Sequence, residues 1–166
     1  MADTSDNWLP VNDGVDHINI YTKSKTLLGR LLTNLHDCEF TVPGYGTFQS
    51  LEGFWYYYLT GCQYDEFKNK RGFDAKKLGQ TKRDDRIDKE GLTEDQKAVI
   101  LEAIRCKLRQ NKDIVLALAR SELPFAHYYY YGSPENPKIT RLPQYNWMIE
   151  EFERLRNLLK EKNYGV

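Results

Sequence analysis

Two stretches of the chain combine residue types and spacings suited to chemistry. The first is Phe48-Gln49-Ser50-Leu51-Glu52-Gly53-Phe54-Trp55-Tyr56-Tyr57-Tyr58. It sets one carboxylate at the head of a strongly aromatic segment. With Ser50 or Thr47 as the helix cap, Glu52 falls in the first turn, where the helix dipole favours an anion. An ionised carboxylate against an aromatic wall stabilises a developing positive charge. The oxocarbenium-like sugar of N-glycoside cleavage is one such charge. A neutral acid at this position requires desolvation to outweigh the dipole. The plainer alternative is a capping glutamate on an amphipathic helix.

The second stretch is His127-Tyr128-Tyr129-Tyr130-Tyr131-Gly132. Four consecutive tyrosines on a strand offer flat faces and hydroxyls on alternate sides, and such surfaces stack nucleobases. The plainer alternative is an aromatic strand half in the core. His127 is ambiguous, and a lone histidine is more often a satisfied structural residue than a catalyst. With only three histidines and no paired His, Cys or Asp spacing, a metal site is not expected. No glycine-rich phosphate loop or nucleophile elbow is present.

Short elements must position these residues. His17 to Thr22 alternates about Ile18 and Ile20, and Cys38 to Val42 alternates up to the turn pair Pro43-Gly44. Both read as strands. Ser50 to Thr60 reads as a helix ending at Gly61, and Phe73 to Gly79 as one or two turns closed by its glycine. Thr93 and Gln96 form a capping box before the apolar stripe Ile100, Leu101, Ile104 and Leu108. Asp113 caps a further piece through Ile114, Leu116 and Leu118. From Tyr145 the chain reads as a helix with Met148, Ile149, Phe152, Leu155 and Leu159 on one face. Glu150, Glu151, Glu153, Arg154 and Arg156 lie off that face.

These elements predict an α+β class, mainly helical, with a few short strands. The 166 residues fit a compact single domain over 17–166 behind a flexible lead-in at 1–16. Equal numbers of basic and acidic residues, 24 each, argue against nucleic-acid binding by bulk charge. The charge is nevertheless uneven. From Lys68 to Arg83 there are seven basic residues and one acidic, and from Asp84 to Asp95 six acidic and two basic. Either the two runs screen each other in a solvated loop, or the first faces phosphate beside an acidic brake. No apolar run reaches the ~20 residues that span a bilayer, so no membrane partner is expected. Cys38, Cys62 and Cys106 form no disulfide framework, and a reducing, cytoplasmic setting follows.

Several motifs occur in a telling order. They are Ile18-Asn19-Ile20-Tyr21, Gly29 to Leu35, Thr47 to Trp55, Ala75-Lys76-Lys77-Leu78-Gly79, Ala103 to Leu108, and Met148 through Arg156. Together they resemble the NADAR family, which includes the YbiA-like N-glycosidases, across roughly residues 17 to 157. The resemblance implies a mainly helical α+β domain that cleaves an N-glycosidic bond between a ribose and a base or amine, without a cofactor. Family activities include hydrolysis of ribosylamino-pyrimidine intermediates of riboflavin synthesis and removal of ADP-ribose from guanine in nucleic acid. Glu52 matches the family's active-site glutamate. Asn34 matches the asparagine of an "SNF" turn, expected near the ribose or phosphates.

The chain departs from the family at several points. Leu59 stands seven residues after Glu52, where many members carry a candidate Schiff-base lysine. Leu92 replaces a tryptophan. A "W-G-D-G" segment becomes Tyr131-Gly132-Ser133-Pro134, without the aspartate, and "N-R-L-G" becomes Thr140-Arg141-Leu142-Pro143. Lys76 or Lys77 is left as a substitute amine, with a pKa lowered by desolvation or neighbouring cations; otherwise both are phosphate contacts or plain surface. Without a lysine nucleophile, water attacks directly with Glu52 as base or electrostatic partner.

The expectation from this likeness is an ADP-ribosyl glycohydrolase acting on guanine in DNA, in a bacterium or a phage countering a host toxin. Glu52 and Lys76 are the catalytic candidates. Arg30, Asn34 and Lys77 would hold ribose or diphosphate. Trp55, Tyr128, Tyr130, Tyr131 and Gly132 would line the base. The alternatives are a glycosidase of small ribosylamino metabolites and a non-catalytic binder of ADP-ribose or a nucleotide.

Overall fold

The structure is a computed structural model describing residues 8–133 and 135–165. The start of the expected lead-in, with Asp3, Asp6 and Asn7, and Pro134 of the Tyr131 segment lie outside the described residues. In chain order the elements are β1 (Ile18–Asn19), α1 (Leu27–Leu31), β2 (Asp37–Val42), β3 (Gly46–Ser50) and α2 (Leu51–Leu59). Then come α3 (Gly72–Gln80), α4 (Glu94–Arg109) and α5 (Lys112–Arg120). The chain continues with β4 (Phe125–Ala126), β5 (Tyr128–Ser133), β6 (Asn136–Arg141) and α6 (Asn146–Glu161). Helix predominates, and the described strands form three two-stranded sheets, an α+β architecture as predicted. No helix among the described residues is long and apolar enough to cross a membrane.

The chain divides into two units, Met1–Thr33 with Asp113–Val166, and Asn34–Lys112. In the first, β1 pairs in parallel with β4, matching Ile18 to Phe125 and Asn19 to Ala126. Asn19 is fully buried. Its amide donates to the Tyr128 carbonyl and accepts from the Tyr128 N–H, both at 3.0 Å, so it extends the ladder with a side chain. The second half of the lead-in is pinned rather than loose. Asp13 is 4% exposed and accepts from the Asn19 N–H, the Ser24 hydroxyl and the Lys25 N–H at 3.0, 2.9 and 2.9 Å.

The long C-terminal helix α6 forms where the 3.6-residue pattern predicts it, burying Met148, Ile149 and Phe152. Its polar side differs from expectation, because Glu151 and Arg156 are buried too. Arg156 donates to the Ser121 hydroxyl and the Leu123 carbonyl and lies over the Phe125 ring, 4.3 Å from its centroid. Glu151 takes two hydrogen bonds from Arg154. Long charged side chains can be buried when their heads find partners, which the apolar pattern does not reveal.

In the second unit, β2 and β3 form an antiparallel hairpin around the Pro43-Gly44 turn, and β3 runs directly into α2. Phe48 is wholly buried, with its ring edge-on to Phe54 at 5.1 Å. α4 carries the capping box, with Thr93 accepting from the Gln96 N–H and Gln96 accepting from the Thr93 N–H. Its buried face is Ile100, Ala103, Ile104, Lys107 and Leu108, with Leu101 off it. α5 begins before Asp113, which sits inside its first turn rather than at the cap. Gly79 does not close α3. It lies within the helix for a reason tied to the site.

Candidate functional site

Glu52 is placed by its neighbours in sequence. Ser50, not Thr47, caps α2, its hydroxyl accepting from the Gly53 N–H at 3.0 Å. Glu52 therefore lies in the first turn, as expected. Its own N–H donates to the Asn34 carbonyl at 2.8 Å, and the Asn34 side chain hydrogen-bonds its carboxyl. One residue thus holds both ends of Glu52.

α3 supplies the next group. Glu52 and Tyr56 stand one turn apart on the same side of α2. Opposite them α3 presents Lys76 and, three residues later, Gly79. A Cβ on Gly79 would fall 2.3 Å from the Tyr56 ring, and one on Gly72 would fall 2.1 Å from the Leu35 carbonyl oxygen. These two glycines let α3 close on α2 and on the segment that carries Asn34, and so bring the half-buried Lys76 within electrostatic reach of Glu52. Arg86 completes the group. It lies 5.6 Å from the Tyr56 ring centroid, takes a two-point grip on Asp88 at 2.7 Å, and also acts on Glu52.

The electrostatic outcome reverses the simplest sequence expectation. The dipole, Lys76, the Asn34 amide and Arg86 all favour an ionised Glu52. Desolvation by burial exceeds them and raises its pKa from the usual 4.5 to about 7. Glu52 nonetheless keeps part of its surface in contact with solvent. A carboxyl that titrates near neutrality and can be reached by water is suited to give and take protons.

The other candidates fall elsewhere. Lys77 is exposed on α3, and Trp55 is 7% exposed, part of the buried set rather than an open stacking face. In the first unit, Arg30 is exposed at the end of α1 and donates to the Ser24 carbonyl at 2.7 Å. Tyr128 is 1% exposed and bonded through its hydroxyl to His17 Nε2 at 2.6 Å, so it is not a stacking surface. Tyr130 is half-buried, while Tyr131 and Gly132 are exposed.

The basic run is partly tied down. Lys68 pairs with Asp65 at 3.4 Å and lies 4.8 Å from the Tyr57 ring centroid. Lys82 lies 4.5 Å from that of Tyr64, whose hydroxyl donates to Asp85.

Two further residues lie outside the site candidates the sequence offers, although Lys107 falls within the Ala103 to Leu108 motif. Arg86 sits in the acidic run, where nothing in the local pattern marks it. Lys107 is 1% exposed, and burial lowers its pKa from 10.5 to about 8, with Cys38 acting in the opposite direction. A signal for it existed, since position 107 follows Ile100 by seven and so falls on the apolar stripe. The chain matches no family model, no curated protein and no solved structure.

Proposed function

We propose that the chain is an N-glycosidase of the NADAR type that removes ADP-ribose from guanine in DNA. The observation that carries this reading is Glu52 with a pKa of about 7, between Lys76, Arg86 and Asn34. At neutral pH Glu52 is divided between its two protonation states, so one group serves as base and then as acid. The carboxylate takes a proton from water as its oxygen adds to the ribose C1′. The C1′–N bond breaks, and the protonated Glu52 returns that proton to the departing base nitrogen. Lys76 and Arg86 hold the diphosphate and offset its charge. Asn34 orients the carboxyl.

Lys76 beside Glu52 also suits a covalent route, in which its amine adds to C1′ and Glu52 protonates the leaving base. An oligonucleotide carrying ADP-ribosyl-guanine tests the whole reading. Wild type restores guanine and releases ADP-ribose, and Glu52→Gln lowers the rate by about 10²–10⁴. A borohydride-trapped adduct that vanishes in Lys76→Ala assigns the covalent route. Wild type without turnover overturns the reading.

A second reading, a glycosidase of small ribosylamino metabolites, draws support from the basic run. Lys68 and Lys82 are engaged with Asp65 and tyrosine rings, which leaves fewer free cations for a polymer backbone. A salt titration separates the two. Cleavage of modified DNA that weakens with salt no faster than cleavage of a free nucleotide favours the metabolite.

A further inference from the structure

The β5–β6 hairpin has two unlike faces. Direct partners across an antiparallel pair share a face. Tyr128 and Tyr130 alternate toward the protein, opposite Arg141 and Ile139. Tyr129 and Tyr131 alternate outward, 43% and 65% exposed, opposite Thr140 and Lys138. Tyr129 is braced from one side by Tyr21, with ring centroids 5.4 Å apart. Residues two apart on a strand stand ~6.7 Å apart. That spacing lets both side chains bear on a single ligand.

A second feature adjoins this face. The His127 ring meets Tyr129 edge-on at 5.8 Å and lies 6.0 Å from Tyr145. Its Nδ1 is buried and has no hydrogen-bond partner. Burial pushes its pKa down to about 4, so at neutral pH the ring is uncharged and can donate through one nitrogen and accept through the other. A buried ring nitrogen without a partner is uncommon in native proteins and calls for an explanation.

We infer that the outward face of β5 is a stacking platform for unpaired nucleobases, with Tyr129 and Tyr131 taking the ring, Lys138 meeting the adjoining phosphate and His127 reading a polar edge. A base is the ligand whose chemistry matches all of these at once: a flat π-face, ring nitrogens and exocyclic groups at its rim, and an attached anion. His127 Nδ1 is buried, so a contact with it follows only a shift of the Tyr129 ring away from Tyr21. The platform is independent of the Glu52 chemistry and needs no modified base.

The test is fluorescence anisotropy of the full chain with unmodified, labelled single-stranded oligo-dA, oligo-dC and oligo-dT and with a duplex of equal length. The single strands are expected to bind and the duplex to bind at least tenfold more weakly. Tyr131→Leu and Tyr129→Leu keep apolar bulk and lose the π-face, and each weakens single-strand binding by about tenfold. Lys138→Ala lowers the salt slope by roughly 0.7, and His127→Phe flattens the preference among the three strands. Circular dichroism checks that each variant folds. Equal affinity for duplex and single strand, unchanged affinity in both tyrosine variants, or no binding of any strand overturns the proposal. Binding of unmodified strands is read without any turnover, so failure of the platform and failure of the glycosidase reading are seen separately.

Discussion

Asp13 and Glu52 are carboxylates drawn away from bulk water, one in each unit, and the protein treats them in opposite ways. Asp13 receives two backbone N–H groups and a hydroxyl. Its solvation shell has been replaced by fixed donors, and it works as a pin that ties the lead-in, β1 and the Ser24 turn together. Glu52 receives one side-chain amide and the fields of two cations, and these fall short of the water it has lost. The fully satisfied carboxylate is structural. The under-satisfied one stays close to its titration point, the condition for moving a proton. Low exposure alone does not separate the two roles; the count and strength of the donors do.

The largest effect separating them is on turnover. Glu52→Gln is expected to lower the rate of ADP-ribosyl-guanine hydrolysis by about 10²–10⁴ with fold retained. Asp13→Ala should leave the per-folded-molecule rate within a few-fold. Next comes stability. Asp13→Ala strands three donors, and the expected loss is about 3 kcal/mol, or about 10 °C in Tm by calorimetry. Glu52→Gln should act in the other direction. The folded state binds a proton on Glu52 that the unfolded chain releases between pH 4.5 and about 7, so wild-type stability falls as pH rises through that window. At pH 8 the variant should be more stable by about 2 kcal/mol, allowing for partial solvent contact, and the gain should vanish near pH 4 in urea titrations. The smallest effect is that of Asn34→Ala. Losing a hydrogen bond that favours the carboxylate should move the acid-limb midpoint of the pH–rate profile upward, by less than roughly one pH unit. A downward move would contradict the role given to Asn34.

Much of the framework was legible in the residues. The α2 cap at Ser50, the α4 capping box and the α6 stripe are local signals of hydrogen bonding and periodicity, and each forms where the pattern puts it. The strands β3 and β6 were not foreseen, because their residues gain their extended form from pairing partners rather than from their own alternation. Gly79 has the look of a helix stop in the sequence, whereas its missing Cβ makes room for the Tyr56 ring. That reason exists only once α2 and α3 meet.

The site was legible in part. Glu52, Asn34 and Lys76 stand out by type and motif and do come together. Arg86 joins them through packing on Tyr56, which no spacing rule encodes. The alternation of the four tyrosines is legible as a strand property, whereas which pair turns inward depends on how β5 packs. The opposition of helix dipole and desolvation at Glu52 is visible in the sequence. Which would prevail depended on how many groups pack around the carboxyl, a tertiary quantity.

The most direct measurement of the central claim is a carbon-13 NMR titration of the glutamate side-chain carboxyls, with Glu52→Gln assigning the resonance. One carboxyl titrating with a midpoint of about 7, absent in the variant, is the predicted result. A Glu52 midpoint near the ordinary 4.5 would contradict the account, because the group would then be a fixed anion at neutral pH with no proton to give.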